Sequence, residues 1–317
     1  MSPHETKNTS ILRLTEVGPR DGLQNERHIL DVEARVELIE RLVDAGCKEI
    51  EIGSFVHPRW VPQMTDTDQV AARLGRREGV LYWGLIPNLR GLERAIAAGL
   101  THVAVVMSAS ETHNLKNINR TRETSLTEIA QIARIVRERG MVLRTYISTA
   151  FGCPYEGDVD FALVLELTEK MLALGSEGVS LGDTIGVGNP KIIRDGCRRA
   201  LERFGPEKII LHLHDTQGLA LANALVAFEI GVRRLDSSIG GLGGCPYAPG
   251  ASGNVGTEDI ANLFCGLGLD PGLAIEKLVR ISHWLEESFA VRISSKYFRY
   301  AYAHDRFRAS LDAEESL

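Results

Sequence analysis

Two histidines separated by a single residue are the clearest candidates for chemistry in this sequence. His212 and His214 lie in the segment 211–215, LHLHD, at the end of a short apolar run. Residues at positions i and i+2 of a strand point to the same side. Two imidazoles on one face suit a divalent metal ion, although a hydrogen-bonded pair of core histidines is the structural alternative. The pattern favours a metal site at this strand end.

A second polar segment follows the first predicted strand. Residues 17–26 read VGPRDGLQNE, in which Gly and Pro end the strand and Arg20, Asp21 and Gln24 follow. A solvated loop with an Arg–Asp ion pair would need the same residues. In a closed barrel of parallel strands, however, function belongs at the carboxyl ends of the strands. We therefore consider this segment together with the two histidines.

Charged and hydroxyl residues also occur within or at the ends of three other predicted strands. Ser180 and Asp183 lie in SLGDT (180–184), Glu51 lies on the second strand and Arg144 on the fifth. Charges that point into a barrel are costly unless they are paired. Each of them has a structural explanation alone, but their clustering at one end indicates a site.

A glycine-rich stretch follows the last predicted strand. Residues 240–254 read GGLGGCPYAPGASGN, with Cys245 inside the loop and Asn254 at its end. So many glycines indicate either a backbone that closely approaches a ligand or simply a flexible loop. Asn254 could cap the helix that follows, but Thr257 is better placed as its cap.

Eight strand-then-helix units must position these residues. Their order predicts a closed parallel (β/α)8 barrel over about 11–268, with an open doubly wound sheet as the alternative. A helix and a charged, aromatic tail over 271–317 would form a C-terminal extension of one domain spanning 1–317. The predicted strands are Leu12–Val17, Glu49–Ile52, Val80–Leu85, Thr101–Met107, Val142–Thr149, Gly178–Leu181, Ile209–Leu213 and Val232–Asp236. The predicted helices are Asp31–Ala45, Asp66–Leu74, Arg90–Ala98, Ser125–Arg139, Val159–Leu174, Pro190–Phe204, Leu219–Ile230, Thr257–Leu267 and Gly272–Phe289.

Composition excludes several classes of function. The net charge is −6 with both signs mixed along the chain, so no basic face for nucleic acid is expected. Five dispersed cysteines without a CxxC pair argue against a disulfide framework or a zinc ribbon. The polar start, Met1–Ser10, and the lack of an 18-residue apolar window predict a cytoplasmic protein that makes no membrane contact.

Taken together, these segments resemble the 3-hydroxy-3-methylglutaryl-CoA (HMG-CoA) lyase family of the metal-dependent lyase and Claisen-synthase barrels. The similarity runs from Leu12 to about Ser295. Its most specific pieces are VGPRDGLQNE, SFVHPRWVPQM, SLGDTIGVG, LHLHDTQGLALAN and GGLGGCPYAPGASGNVGTED. The RDG segment and the HxH pair alone indicate only the superfamily, whereas the glycine-rich loop makes the lyase branch specific.

The resemblance implies roles for individual residues. The implied ligands of a divalent metal are Asp21, His212, His214 and Asn254. The implied catalytic residues are Arg20, Asp21, Glu51 and Cys245, with the choice of proton acceptor open between Asp21 and Glu51. The implied substrate-binding residues are Arg20, Gln24, Arg144, Ser180 and Asp183. The mixed nitrogen and oxygen ligands suit Mg2+ or Mn2+, with Zn2+ and Co2+ also compatible by ligand type.

The implied reaction is metal-dependent cleavage of an acyl-CoA, HMG-CoA, to acetyl-CoA and acetoacetate, in the context of leucine catabolism. A homodimer is common in the family. Residues Ile52 and Gly53, His57 and the segment 112–114 depart from its usual pattern, which leaves open a related lyase for citramalyl-CoA or a longer homologue. A Claisen-type synthase would usually need additional C-terminal domains, for which this chain has little room. The non-enzymatic alternative is a barrel that only binds metal or acts as a scaffold. Such a protein would have to retain every predicted metal ligand without catalysing a reaction.

Overall fold

The strands form a closed barrel of eight parallel strands in sequence order, β1 to β8, as predicted. The computed structural model describes residues 12–243 and 253–304. The strands are almost entirely buried because helices cover the outside and side chains fill the inside. Their bounds are β1 Arg13–Glu16, β2 Glu49–Ser54, β3 Leu81–Leu85, β4 His102–Ser108, β5 Val142–Ser148, β6 Ser176–Asp183, β7 Ile209–Leu213 and β8 Arg234–Ser237.

Helices connect the strands and form the outer layer. Their bounds are α1 Val32–Asp44, α2 Thr67–Leu74, α3 Leu89–Ala97, α4 Glu111–Ile118, α5 Arg122–Glu138, α6 Phe161–Leu174, α7 Pro190–Phe204, α8 Ala220–Glu229, α9 Thr257–Gly266 and α10 Ile275–Phe289. The C-terminal helix α10 packs against α1 and α9. Within the ranges given above, none of the helices is long and apolar enough to cross a membrane.

Helix capping shows one correct and one wrong prediction. Asp31 caps α1, since its carboxylate accepts a hydrogen bond from the Ala34 amide at 2.8 Å. Thr257, predicted to cap α9, is instead its first residue, and Gly256 precedes it without a side-chain cap. The hydroxyl of Thr257 instead donates to Glu16 Oε2 at 2.6 Å, at the barrel seam where β1 pairs with β8.

The carboxylate of Glu16 joins the two ends of the strand order at this seam, where β1 pairs with β8. Its Oε1 accepts hydrogen bonds from the amides of Gly18 (2.7 Å) and Ile239 (2.9 Å), which lie in the connections after β1 and β8. Burial raises the pKa of Glu16 to about 7. This one side chain therefore fixes both connections that carry candidate site residues.

Candidate metal centre and active site

A cavity of about 390 Å³ opens at the carboxyl ends of the strands. It is bordered by Asp21 and Gln24 after β1, by Tyr146 on β5, by His212 on β7 and by His214 just after that strand. A larger cavity of about 710 Å³ lies elsewhere, between the starts of β1 to β3 and residues 268–273. Among the described residues, the one cluster of three potential metal ligands lies at the smaller cavity. The potential metal ligands therefore border a cavity at the carboxyl ends of the strands.

Asp21, His212 and His214 form this candidate metal centre, with potential ligand atoms within 4.8 Å of one another. The two Nε2 atoms of the histidines are 3.3 Å apart, and Asp21 Oδ2 lies 3.6 Å from His212 Nε2. All three side chains are largely buried. His212 lies on β7 and His214 follows its last residue, and the two rings meet because alternate residues of an extended segment share a face.

The donor set fits a divalent cation. Burial and the neighbouring His212 lower the pKa of His214 to about 4, so its imidazole is neutral and has a lone pair to donate. Burial opposes ionisation of Asp21, but Arg20 and the two imidazoles hold the pKa of Asp21 at about 2. Within the described part of the chain, the buried Nδ1 of His214 has no hydrogen-bond partner. Facing imidazole nitrogens beside a carboxylate are what a cation site requires.

Asn254 completes this arrangement from the other side of the seam. Its amide nitrogen donates to Asp21 Oδ2 at 2.8 Å and to the Leu242 carbonyl at 3.0 Å. A backbone bridge between Asn254 and His214 holds the segment against β7. The structure thus brings all four residues of the predicted ligand set together.

Replacement of Gly243 by alanine is expected to weaken metal binding at least about tenfold. The backbone φ at Gly243 is +119°, and an added Cβ would lie 2.5 Å from Asn254 Nδ2. Asn254 would have to move away from Asp21. Calorimetric titration with Mn2+ measures the effect, and Gly266→Ala is the matched control because its Cβ would meet nothing within 4 Å. Equal Mn2+ affinities in the two variants would contradict this role for the close approach.

Arg20 is held from two sides at the edge of the centre. Its Nε donates to Glu51 Oε2 at 2.6 Å, and its Nη1 donates to Asp21 Oδ1 at 2.5 Å. The guanidinium carbon also lies 5.3 Å from the ring centroid of Tyr146, whose hydroxyl donates to Glu51 at 3.2 Å. The local fold is a single π-helical turn, Gly18–Gly22, which places Arg20 and Asp21 side by side at the cavity. The guanidinium is therefore preorganised before any substrate binds.

Asp236, which sequence analysis did not identify, orients His212. Its Oδ2 lies 3.3 Å from His212 Nδ1 and accepts a hydrogen bond from Ser180 at 2.7 Å, while Oδ1 pairs with Arg144. Burial opposes its ionisation, but the charge of Arg144 holds the pKa of Asp236 well below its usual range. A carboxylate behind a ligating histidine fixes the tautomer and the ring direction. The feature of the sequence that could have identified Asp236 is a charged residue near the end of a predicted apolar strand.

Three residues predicted to bind substrate lie behind the cavity wall. Arg144 and Ser180 are fully buried and bond to Asp236, and Arg144 also donates to Thr15. Asp183 accepts hydrogen bonds from the amides of Val187 and Gly188, so it shapes the loop after β6. Their part in substrate binding stays a prediction, and their positions favour an indirect one.

The remaining predicted site residues differ in position. Gln24 lines the cavity and donates to Asp21 Oδ1 at 2.9 Å. Glu51 is fully buried beneath Arg20. Tyr146, which sequence analysis did not identify, lines the cavity two residues after Arg144 on β5. Cys245 lies outside the described residues, so its role stays a prediction.

Comparison with known proteins agrees with this geometry. The family model described as HMGL-like matches residues 11–285. The chain belongs to the HMGL-like family. Hydroxymethylglutaryl-CoA lyase from Bacillus subtilis is 44% identical to this HMGL-like protein over 283 residues, which are 89% of this chain and 95% of that protein.

Solved structures of the same family are also similar. Hydroxymethylglutaryl-CoA lyase from Pseudomonas aeruginosa superposes with a TM-score of 0.90 at 40% identity, covering 93% of this chain and 98% of that one. An HMG-CoA lyase from Acinetobacter baumannii, solved in complex with coenzyme A and 3-methylmalate, gives a TM-score of 0.87 at 37% identity. That alignment covers 93% of this chain and 95% of the other. The likeness therefore extends over the whole barrel.

Proposed function

We propose that this protein is a carbon–carbon lyase that cleaves HMG-CoA to acetyl-CoA and acetoacetate with the help of a divalent metal ion. The observation that carries the proposal is the joining of Asp21, His212, His214 and Asn254 at the mouth of a barrel whose relatives, at about 40% identity over nearly the whole chain, are HMG-CoA lyases. Coenzyme A in the Acinetobacter structure supports an acyl-CoA as the substrate.

The metal ligands would hold Mg2+ or Mn2+ at the cavity wall. A divalent cation bound there would polarise the 3-hydroxyl of the substrate and lower its pKa. Asp21 lines the cavity, whereas Glu51 lies behind Arg20. Since a proton acceptor must first be within hydrogen-bond reach of its proton, we assign that role to Asp21. Glu51 would position Arg20.

Arg20 would stabilise the thioester oxygen as negative charge develops on it. The guanidinium is always charged, and Glu51 and Asp21 fix its direction, so no reorganisation is needed during the reaction. The departing carbon then needs a proton to become the methyl group of acetyl-CoA. We propose Cys245 as the group that supplies or relays this proton. A cytoplasmic location, a role in leucine catabolism and a homodimeric assembly stay predictions.

Removal of bound metal is expected to abolish cleavage, and addition of Mg2+ or Mn2+ to restore it. The protein is stripped with a chelator and assayed with HMG-CoA for release of acetyl-CoA before and after the metal is returned. His214→Ala is the matched variant, since it removes one imidazole and should block restoration. Rapid cleavage of citramalyl-CoA instead of HMG-CoA would keep the reaction but change the acyl group. Equal activity with and without metal would disprove the metal-dependent reaction.

A further inference from the structure

His113 lies on the cavity wall and is held in one orientation. It belongs to the first turn of α4, is 1% exposed, and borders the cavity. Its Nδ1 lies 2.7 Å from the hydroxyl oxygen of Ser108, at the end of β4. Its backbone amide donates to the capping hydroxyl of Ser110 at 3.1 Å. His113 is thus held through both its ring and its backbone amide.

The strand order places this ring across the cavity from the candidate metal centre. His113 and His212 both line the cavity. Ser108, which anchors the ring, ends β4, and His212 lies on β7, three strands further round the eight-stranded barrel. His113 therefore borders the cavity from another side of the mouth than His212.

The chemistry of the proposed substrate gives this wall a role, and the inference rests on the proposed function. The tertiary carbon C3 carries a hydroxyl, a carboxymethyl group, the thioester arm and one alkyl group. The hydroxyl and the carboxylate would turn toward the metal ligands, and the thioester would turn toward Arg20. The alkyl group would then face the wall that Leu85, Val106 and Ile147 line together with His113. These three side chains are apolar.

We propose that His113 limits the length of the alkyl substituent at C3, so that the site takes a methyl group there and rejects longer chains. The ring cannot swing aside without losing its contact with Ser108. Burial lowers the pKa of His113 to about 4, so the imidazole is neutral and can lie against a methyl group without burying a charge. A longer chain would collide with the fixed ring.

Two thioesters that cannot be cleaved test the proposal directly. The probes are 3-methylglutaryl-CoA and 3-butylglutaryl-CoA, which lack the 3-hydroxyl, and calorimetry in Mg2+ gives the ratio of their dissociation constants. His113→Ala is expected to shift this ratio toward the butyl compound by at least about tenfold, the effect of fitting extra methylenes in an apolar pocket. His113→Phe, which keeps a ring at this position, should leave the ratio unchanged. Ser108→Ala, which removes the hydroxyl bonded to the imidazole, should shift it in the same direction but by less.

The outcomes separate this proposal from the proposed function. An unchanged ratio in His113→Ala, or an equal shift in His113→Phe, would overturn the role of His113. Far-ultraviolet circular dichroism checks each variant, and Ser108→Ala decides the matter if His113→Ala fails to fold. Cleavage of HMG-CoA is assayed separately on the unaltered protein. A shifted ratio without cleavage of HMG-CoA would support the size limit and contradict the proposed reaction. Cleavage of HMG-CoA with an unshifted ratio would support the reaction and contradict the size limit.

Discussion

Replacement of Arg20 by lysine is expected to lower kcat for HMG-CoA at least about a hundredfold, with a much smaller change in KM. The positive charge remains, but the forked guanidinium is lost. One nitrogen of Arg20 is bound to Glu51 and another to Asp21, and the planar group between them is aimed at the cavity. A single ammonium cannot keep both contacts and this direction together. Steady-state kinetics at saturating Mg2+ measure both constants.

Two controls isolate the effect of Arg20. Metal content is measured in the variant, because Arg20 also contacts the metal-ligand candidate Asp21. Arg94→Lys is the comparison substitution, since Arg94 forms a partly exposed ion pair with Asp68 and does not line the active-site cavity. If the Arg20→Lys variant kept more than a tenth of kcat with normal metal content, charge alone would be sufficient. The stabilising role assigned to the guanidinium geometry would then be wrong.

Replacement of Asp236 by asparagine is expected to lower metal affinity about ten- to a hundredfold. Asp236 fixes the ring of His212 through Nδ1, and this leaves Nε2 directed at Asp21 and His214. A neutral amide can present hydrogens to the imidazole and so favour the wrong tautomer. Mn2+ titration followed by calorimetry measures the loss, and excess metal should recover much of kcat.

The same substitution leaves the fully buried Arg144 without its charged partner, a change that can cost about 3–5 kcal/mol of stability. The double variant Asp236→Asn with Arg144→Met removes the unpaired charge and keeps the altered contact to His212. Ser180→Ala is the matched control, because it removes only the hydroxyl bond to the same carboxylate. Normal metal affinity in the folded double variant would show that Asp236 does not orient His212.

Periodicity was sufficient to predict most of the barrel, because buried strands and amphipathic helices have distinct patterns. Pro190–Phe204 and Ile209–Leu213 have their predicted bounds, and most other elements differ from prediction by one to three residues. Helix α4 was missed because ETHNLKNI has no apolar periodicity, and its buried residues are His113 and Asn114. The turn at Gly18–Gly22 and a helix over residues 296–304 were also missed, the first because glycine and proline normally end an element.

The site was predictable where polar residues end or follow an apolar run. Arg20, Asp21, His212 and His214 stand out in sequence for this reason, and the structure places them together. Asp236 and Tyr146 lie within strands, where only the three-dimensional register shows that they contact His212 and Arg20. The separation of Arg144, Ser180 and Asp183 from the cavity wall could not be predicted, since depth along a strand is not encoded by residue type.

The seam between β1 and β8 ties metal binding to the completion of folding. Asp21 follows the first strand and Asn254 follows the last, 233 residues apart in the chain, yet their side chains touch. A folding intermediate in which this seam is still open has only His212 and His214 in place. The metal would thus bind the closed barrel far better than any partly assembled form and would stabilise it by mass action.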